Sequence, residues 1–246
     1  MKDKFLMIAG PCAVESEEQL MEIAEFLKSK DIKYLRGGSF KHRSSPDDFQ
    51  GLGKKGLEIL EKAKEKFGMK IVSEVLNVRT IDSFENVDII QIGARNSQNF
   101  PLIREVGRMG KQILYKRGFG NTVDEWLKGV EYIKKEGNED IIMCARGIRT
   151  FEMETRNTAD IDVIPIVKKK SGLKMIFDPS HSAGRKDLVV PLCKAAIAAG
   201  CDGLIVEVHN NPDRALSDSN QQLNFEEFNK LLEEIQPYLD VRGLEI

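Results

Sequence analysis

Histidine and cysteine are scarce in this chain of 246 residues, with three of the first and four of the second. Cys12, Cys144, Cys193 and Cys201 show no CxxC spacing and are too few for a disulfide framework, which excludes a small stapled secreted fold and fits a reducing cytoplasm. No apolar run approaches the roughly 20 residues of a membrane span. The apolar stretch in MKDKFLMIAGPC stops at Gly10 and Pro11, too short for a signal-peptide core. Charge of one sign is not in excess either: 37 Lys+Arg face 39 Asp+Glu, so no polybasic face for nucleic acid or an anionic membrane is expected. Any anion site must be a local cluster. No GxGxxG follows the first apolar run and no GxxxxGK[ST] occurs, so dinucleotide and P-loop fingerprints are missing. Neither a low-complexity linker nor a shift in composition divides the chain, and one domain over 1–246 is expected.

What is there is alternation. Short β-type runs occur at 5–9, 34–38, 70–75, 89–93, 112–116, 140–145, 174–178 and 203–208. Between them lie amphipathic stretches such as EEQLMEIAEFLKSK and TVDEWLKGVEYIKKEG, with apolar residues at three- and four-residue intervals. Strand and helix in alternation imply parallel strands joined by right-handed crossovers. Eight such units in this length predict an α/β protein whose fold is a closed (β/α)8 TIM barrel.

Barrels of this kind build their active sites at the C-terminal ends of the strands. Those ends carry Cys12; Arg36, Lys41 and Arg43; Glu74; Ala94 and Arg95; Lys116; Arg146; Asp178 and His181; and Glu207 with His209. The basic residues Arg36, Lys41, Arg43, Arg95, Lys116 and Arg146 recur at the same edge of successive strands and are expected to ring one mouth. Guanidinium forks grip phosphate or carboxylate oxygens in pairs, so the expected ligand is a phosphorylated metabolite. Cys12, His181, Glu207 and an acidic residue of the loop ALSDSNQQ make a mixed soft and hard donor set suited to a divalent transition metal. Taken singly, Cys12 also reads as a small buried residue, and His181 as the cap of a helix starting near Lys186. Period-two geometry turns Glu207 and His209 toward the barrel axis, with Val206 and Val208 facing the helices.

The segments GPC, RGGSFKHRSS, GARNSQN, YKRG, ARGIRTFE, DPSHSAGR, IVEVH and ALSDSNQQL, in that order along nearly the whole chain, closely resemble the 3-deoxy-D-arabino-heptulosonate 7-phosphate (DAHP) synthases. The resemblance is to the short type I form that shares its barrel with 3-deoxy-D-manno-octulosonate 8-phosphate synthase. It implies a metal-dependent, aldol-type condensation of phosphoenolpyruvate with erythrose 4-phosphate, the first step of the shikimate pathway.

By the same resemblance the metal ligands fall on Cys12, His181, Glu207 and Asp218, for an ion of the Mn, Fe, Co or Zn class. Arg95, beside Ala94, Lys116 and Arg146 are implied to hold the phosphate of phosphoenolpyruvate. Arg36 and Lys41 are implied at its carboxylate side and reacting centre, with Glu74 nearby. Arg43 and Ser44 belong to the loop that meets the aldehyde. Glu74, His209 and Asp178 are the candidates for activating the attacking water. Two departures stand out, KHRSS where the family reads KPRTS and Cys144-Ala145-Arg146 where it reads CERG. His42 in place of Pro loosens that loop or adds a donor to the aldehyde pocket. Condensation with arabinose 5-phosphate, and a non-catalytic barrel that only binds phosphometabolites, are the alternative readings. A homo-oligomer, dimer or tetramer, is expected. With no appended regulatory domain, the catalyst is expected to be insensitive to phenylalanine, tyrosine and prephenate.

Overall fold

The structure, a computed structural model, describes residues 2–43 and 45–246. A two-residue strand β1 (Asp3–Lys4) precedes the eight barrel strands: β2 (Leu6–Gly10), β3 (Tyr34–Arg36), β4 (Lys70–Val75), β5 (Ile89–Ile92), β6 (Gln112–Lys116), β7 (Ile141–Ala145), β8 (Lys174–Phe177) and β9 (Gly203–Glu207). All eight pair in parallel with their sequence neighbours, and β2 pairs with β9 to close the barrel. The expected fold class and strand count therefore hold, with boundaries shifted by at most two residues.

The outer ring is made by α1 (Glu17–Ser29), α2 (Lys54–Phe67), α3 (Phe100–Arg108), α4 (Val123–Lys135), α5 (Val163–Ser171), α7 (Val189–Ala198) and α8 (Phe225–Val241). A short α6 (Pro179–Ala183) sits between β8 and α7. Local chemistry fixes the helix starts. Ser16, Thr122 and Asn224 each accept a backbone N–H of the first turn, the last two within full capping boxes closed by Glu125 and Glu227. Several short elements escaped the sequence reading, α6 among them. The crossover after β4 is a 3-10 helix, Val78–Phe84, begun by an Asn77 cap and carrying few apolar residues at helical spacing. At the opposite end, β1 pairs in parallel with β10 (Leu244–Glu245), tying the two ends of the chain beneath the barrel.

The core has two layers. The larger lies between strands and helices, with Trp126, Phe84, Phe177 and Phe228 fully buried in it. The smaller fills the barrel interior with Ile8, Val72, Ile89, Leu114, Ile142, Cys144, Ile176 and Ile205. Because strand side chains alternate, the residue two positions after each interior apolar residue also faces the axis, one layer nearer the mouth. That step converts Val72 to Glu74, Ile89 to Gln91, Leu114 to Lys116, Ile176 to Asp178 and Ile205 to Glu207. A polar layer thus stands on an apolar floor.

The floor should bear most of the stability. Truncating Ile176 to Ala is expected to cost about 2–5 kcal/mol in urea unfolding, whereas Val241→Ala, on a side chain 89% exposed, should change it by about 0.5 kcal/mol or less. Equal unfolding midpoints for the two variants would contradict this layering.

Candidate active site

The polar layer contains more buried charge than a core tolerates unpaired, and the pairing decides which groups remain free to act. Arg36 reaches from β3 to Glu207 on β9, Nη1 to Oε1 2.5 Å, with both side chains almost wholly buried. Lys116 pairs with Asp178, again fully buried. Asp178 also caps α6 by accepting the His181 N–H (2.9 Å), and its Oδ2 lies 2.8 Å from His181 Nδ1. With Nδ1 so engaged, Nε2 faces the barrel axis. There it lies 3.2 Å from Glu207 Oε1 and 3.6 Å from Asp218 Oδ2.

Cys12 completes this cluster, its Sγ 3.5 Å from Asp218 Oδ2. Donor atoms of Cys12, His181, Glu207 and Asp218 all lie within 4.8 Å of one another and could hold a metal ion. Donors 2.0–2.3 Å from one tetrahedral ion are separated by roughly 3.3–3.8 Å, close to three of the spacings in this set, 3.2, 3.5 and 3.6 Å. The residues fit a mixed thiolate, imidazole and carboxylate site. Burial pushes the Cys12 thiol up to about 12, with Glu207 and Asp218 adding to the rise and Lys41 opposing it. Burial also holds His181 below its ordinary value against the pull of Asp178 and Glu207. Asp218 is held below the usual carboxylate range, its burial outweighed by His181, Arg156 and Lys41. Neutral imidazole and ionised carboxylates are the forms that bind a metal.

Beside the cluster opens a cavity lined by Lys41, Arg43, Glu74, Ala94, Arg95, Lys116, Arg146, His181 and Asp218. Lys41 enters from the loop after β3, its Nζ 2.9 Å from Cys12 Sγ and 3.0 Å from the Cys12 carbonyl. Arg43 Nη1 donates to Ser217 Oγ (2.8 Å), beside Asp218. Glu74 accepts from Gln91 Nε2 (2.8 Å) and packs against Gly93, where any side chain would overlap its carboxylate. Arg146 lies over the Phe119 ring, 4.7 Å from its centroid, and Arg95 approaches the same ring at 5.9 Å. Burial pushes the Arg146 guanidinium down to about 10, with Arg156 and Arg95 adding to the fall and Asp178 opposing it. Its Nη2 donates to the His181 carbonyl (2.8 Å). A guanidinium on a cavity wall with no carboxylate paired to it among the described residues is a site for an anion.

Three sequence expectations take a different place. Arg36, expected at the mouth, lies one layer below, its charge engaged by Glu207. Asp178, expected against substrate, lines no part of the cavity because Lys116 and His181 occupy its carboxylate. His209 does not reach the axis: β9 ends at Glu207, so alternation no longer directs the side chain, and the ring turns to Glu15 and Asn211. Nor does His181 cap a helix near Lys186; it lies within α6. Ser44 lies outside the described residues. His42, read from sequence as loosening this loop or adding a donor to the aldehyde pocket, lines the cavity; Asp48 and Arg156 line it without having been expected there, and Arg156 stands on an irregular loop to which no period applies.

With this geometry in hand, the chain can be set beside known proteins. The family model for the DAHP synthetase I family matches residues 1–241. The chain belongs to that family. A phospho-2-dehydro-3-deoxyheptonate aldolase of Thermotoga maritima is 53% identical over 243 residues, covering 98% of this chain and 72% of that protein. A 2-dehydro-3-deoxyphosphooctonate aldolase of Francisella tularensis subsp. holarctica is 34% identical over 253 residues, covering 94% and 91%. The crystal structure of the T. maritima DAHP synthase matches with a TM-score of 0.95 at 52% identity, over 98% of this chain and 72% of that one. A truncated form of the same enzyme matches with a TM-score of 0.92 at 49% identity, over 98% and 90%. Among the described residues no helix is long and apolar enough to cross a membrane.

The position of Asp178 beneath both clusters makes it the test of the arrangement. Asp178→Ala leaves the Lys116 ammonium and His181 Nδ1 without an acceptor, and the expected loss is about 3–5 kcal/mol in urea unfolding. Asp178→Asn, which keeps an acceptor oxygen, should lose less. An Ala variant as stable as the parent would show that the network does not carry the load assigned to it.

Proposed function

We propose that this chain condenses phosphoenolpyruvate with erythrose 4-phosphate, giving 3-deoxy-D-arabino-heptulosonate 7-phosphate and inorganic phosphate. The observation that carries the reading is one cavity in which His181 and Asp218 of the four-donor Cys, His, Glu, Asp cluster face a wall of Arg95, Lys116 and Arg146. Among the relatives, the heptulosonate enzyme is the more similar, 53% against 34% identity for the octulosonate enzyme, which favours the four-carbon aldehyde.

A divalent ion of the Mn, Fe, Co or Zn class held by Cys12, His181, Glu207 and Asp218 supplies Lewis acidity toward the aldehyde oxygen. The side chains do the rest. Arg95, Lys116 and Arg146, which share one wall of the cavity, bind the phosphate of phosphoenolpyruvate. Arg43, on the loop after β3, grips the phosphate end of the aldehyde. These two anchors hold C3 of phosphoenolpyruvate against the aldehyde carbon, and orientation of that kind removes much of the entropic barrier. Lys41 points its ammonium at the same region. Desolvation favours its neutral form, but Cys12 and Glu207 outweigh burial and raise it, so it stays a proton donor to the oxygen that gains charge as the carbon–carbon bond forms. Water then adds to C2, and carbon–oxygen cleavage releases phosphate. Glu74, on the cavity wall with one oxygen engaged by Gln91, is the carboxylate placed to take the proton of that water. Asp178 acts through Lys116 and His181 rather than on substrate, and Arg36 through Glu207.

Phosphate release by the purified chain should require both phosphoenolpyruvate and a sugar phosphate, and should cease with a chelator. Cys12→Ala should remove most of the activity and Cys193→Ala, buried in the helix layer, little. One added carbon lengthens an extended aldehyde by about 1.3 Å, a misplacement large enough to cost roughly tenfold to a hundredfold. Erythrose 4-phosphate should therefore exceed arabinose 5-phosphate in kcat/KM by at least about tenfold. A mainly eight-carbon product when both sugars compete, read by mass, would overturn the assignment of the aldehyde while leaving the metal and phosphoenolpyruvate in place.

A further inference from the structure

The four proposed metal donors stand on separate pieces of chain. Cys12 follows β2, His181 lies in α6, Glu207 ends β9 and Asp218 sits in the loop beyond it. Two consecutive glutamines connect three of them. Gln221 and Gln222 are buried, at 2% and 0% exposure. Gln221 Nε2 donates to Glu207 Oε2 (2.7 Å), and its Oε1 accepts from Arg156 Nη1 (3.2 Å). Gln222 Oε1 accepts the backbone N–H of Cys12 (2.9 Å), and its Nε2 donates to the Ser217 carbonyl (2.8 Å). The amide orientations follow from chemistry: Arg156 and the Cys12 N–H can only donate, Glu207 and the Ser217 carbonyl can only accept.

Each contact constrains a donor. By occupying Oε2 of Glu207, Gln221 leaves Oε1 as the oxygen turned to His181 Nε2. Gln222 holds the backbone of Cys12 and, through the Ser217 carbonyl, the peptide plane that leads into Asp218. That second hold matters because Asp218 has left-handed backbone, φ 50° and ψ 43°, one of two non-glycine residues with positive φ among the described residues. Such a conformation persists only where its surroundings enforce it. A glutamine amide supplies donor and acceptor at once without adding charge beside two carboxylates.

We infer that Gln221 and Gln222 are positioning residues that fix Glu207, Cys12 and Asp218 for a divalent cation and thereby set its affinity and the geometry of its bond to the Cys12 thiolate. The inference rests on the metal reading of the four-donor cluster. Partners that orient metal ligands typically alter affinity by tenfold to a hundredfold when removed.

Cobalt(II) titration of the full, metal-stripped chain tests it without any turnover, through the thiolate-to-cobalt charge-transfer absorption and the visible ligand-field bands. Gln221→Met should raise the Co2+ dissociation constant by about tenfold or more and leave the charge-transfer band in place, since Cys12 is untouched. Gln222→Met should raise it similarly and also shift or weaken that band. Gln222→Glu keeps the acceptor for the Cys12 N–H and loses the donor to Ser217, so it should recover the parent band. Gln236→Met, on the exposed face of α8, should change neither reading. A parent-like Co2+ dissociation constant in Gln221→Met, or a charge-transfer band shifted or weakened in Gln222→Glu, overturns the inference, even where thermal unfolding shows either variant to be less stable. Should the Gln222→Met chain fail to fold, those two variants still decide. Absence of the charge-transfer band in the parent itself would instead overturn the metal reading on which the pair depends, a failure visible before any variant is made.

Discussion

A carboxylate buried at the top of the barrel is the constraint around which the site is arranged. Glu207 is 1% exposed, and placing an ion there costs several kcal/mol before any partner is counted. Burial alone would push its carboxyl up; His181 and Arg36 together hold it below its ordinary value, against a further push from Asp218. The Arg36 contact has a geometric price. Arg36 stands on β3 and Glu207 on β9, the two neighbours of β2, so the pair must reach across β2. Two interstrand spacings make about 9–10 Å, within reach of an Arg and a Glu meeting midway. The residue of β2 paired with Glu207 is Gly10, at φ 147°, and a side chain there would run into the Arg36 carbonyl. The close approach of the β3 backbone and this φ therefore require a glycine at the end of the first barrel strand, two residues before Cys12, beneath the side chains that meet above it.

The same pairing rule sorts the basic residues into two kinds. Arg36 and Lys116 have buried carboxylate partners of their own, although Lys116, unlike Arg36, still lines the cavity. Arg95 and Arg146 have no carboxylate partner among the described residues and lie near the face of Phe119, whose negative quadrupole steadies a cation without neutralising it. Charge held that way stays available to an incoming anion. A chain of net charge −2 can thus concentrate positive potential in one cleft while its outer surface mixes both signs in exposed pairs such as Lys62–Glu17 and Lys170–Asp124. Long-range attraction of a phosphorylated substrate comes from this local arrangement, not from the overall balance.

How much of this could be read from the sequence follows from which residues obey a period. The barrel was legible because eight apolar runs alternate with amphipathic ones, and the strand-end residues were legible because alternation carries Leu114 to Lys116 and Ile205 to Glu207. The rule stops where the strand stops. His209 lies two residues beyond the end of β9 and turns to Glu15, and Arg156 reaches the cavity from a loop with no repeat at all. Nor does sequence separate a charge that meets substrate from one that meets a neighbour: Arg36 and Arg95 look alike on paper, and only the partner Glu207 distinguishes them. The Val78–Phe84 crossover was missed for a related reason, since a 3-10 turn has no 3.6-residue stripe to read.

Division of labour between rigid and irregular backbone explains why the donors come from such different places. Glu207 sits in a strand hydrogen-bonded to its neighbours, and His181 in a helix locked by the Asp178 cap, so the positions of these two are set by the fold itself. Cys12 and Asp218 lie on loops, where backbone freedom would otherwise cost the site its geometry. Each is restrained by side chains from elsewhere: Lys41 and Gln222 on Cys12, Gln222 through Ser217 on Asp218. Loop donors restrained by side chains, not by strand pairing, can adjust without disturbing the barrel. The floor of Ile8, Leu114, Ile176 and Ile205 beneath them has no such freedom, because a close-packed core transmits any shift to every strand. Rigidity is placed where the polar layer needs support, and tolerance where chemistry needs adjustment.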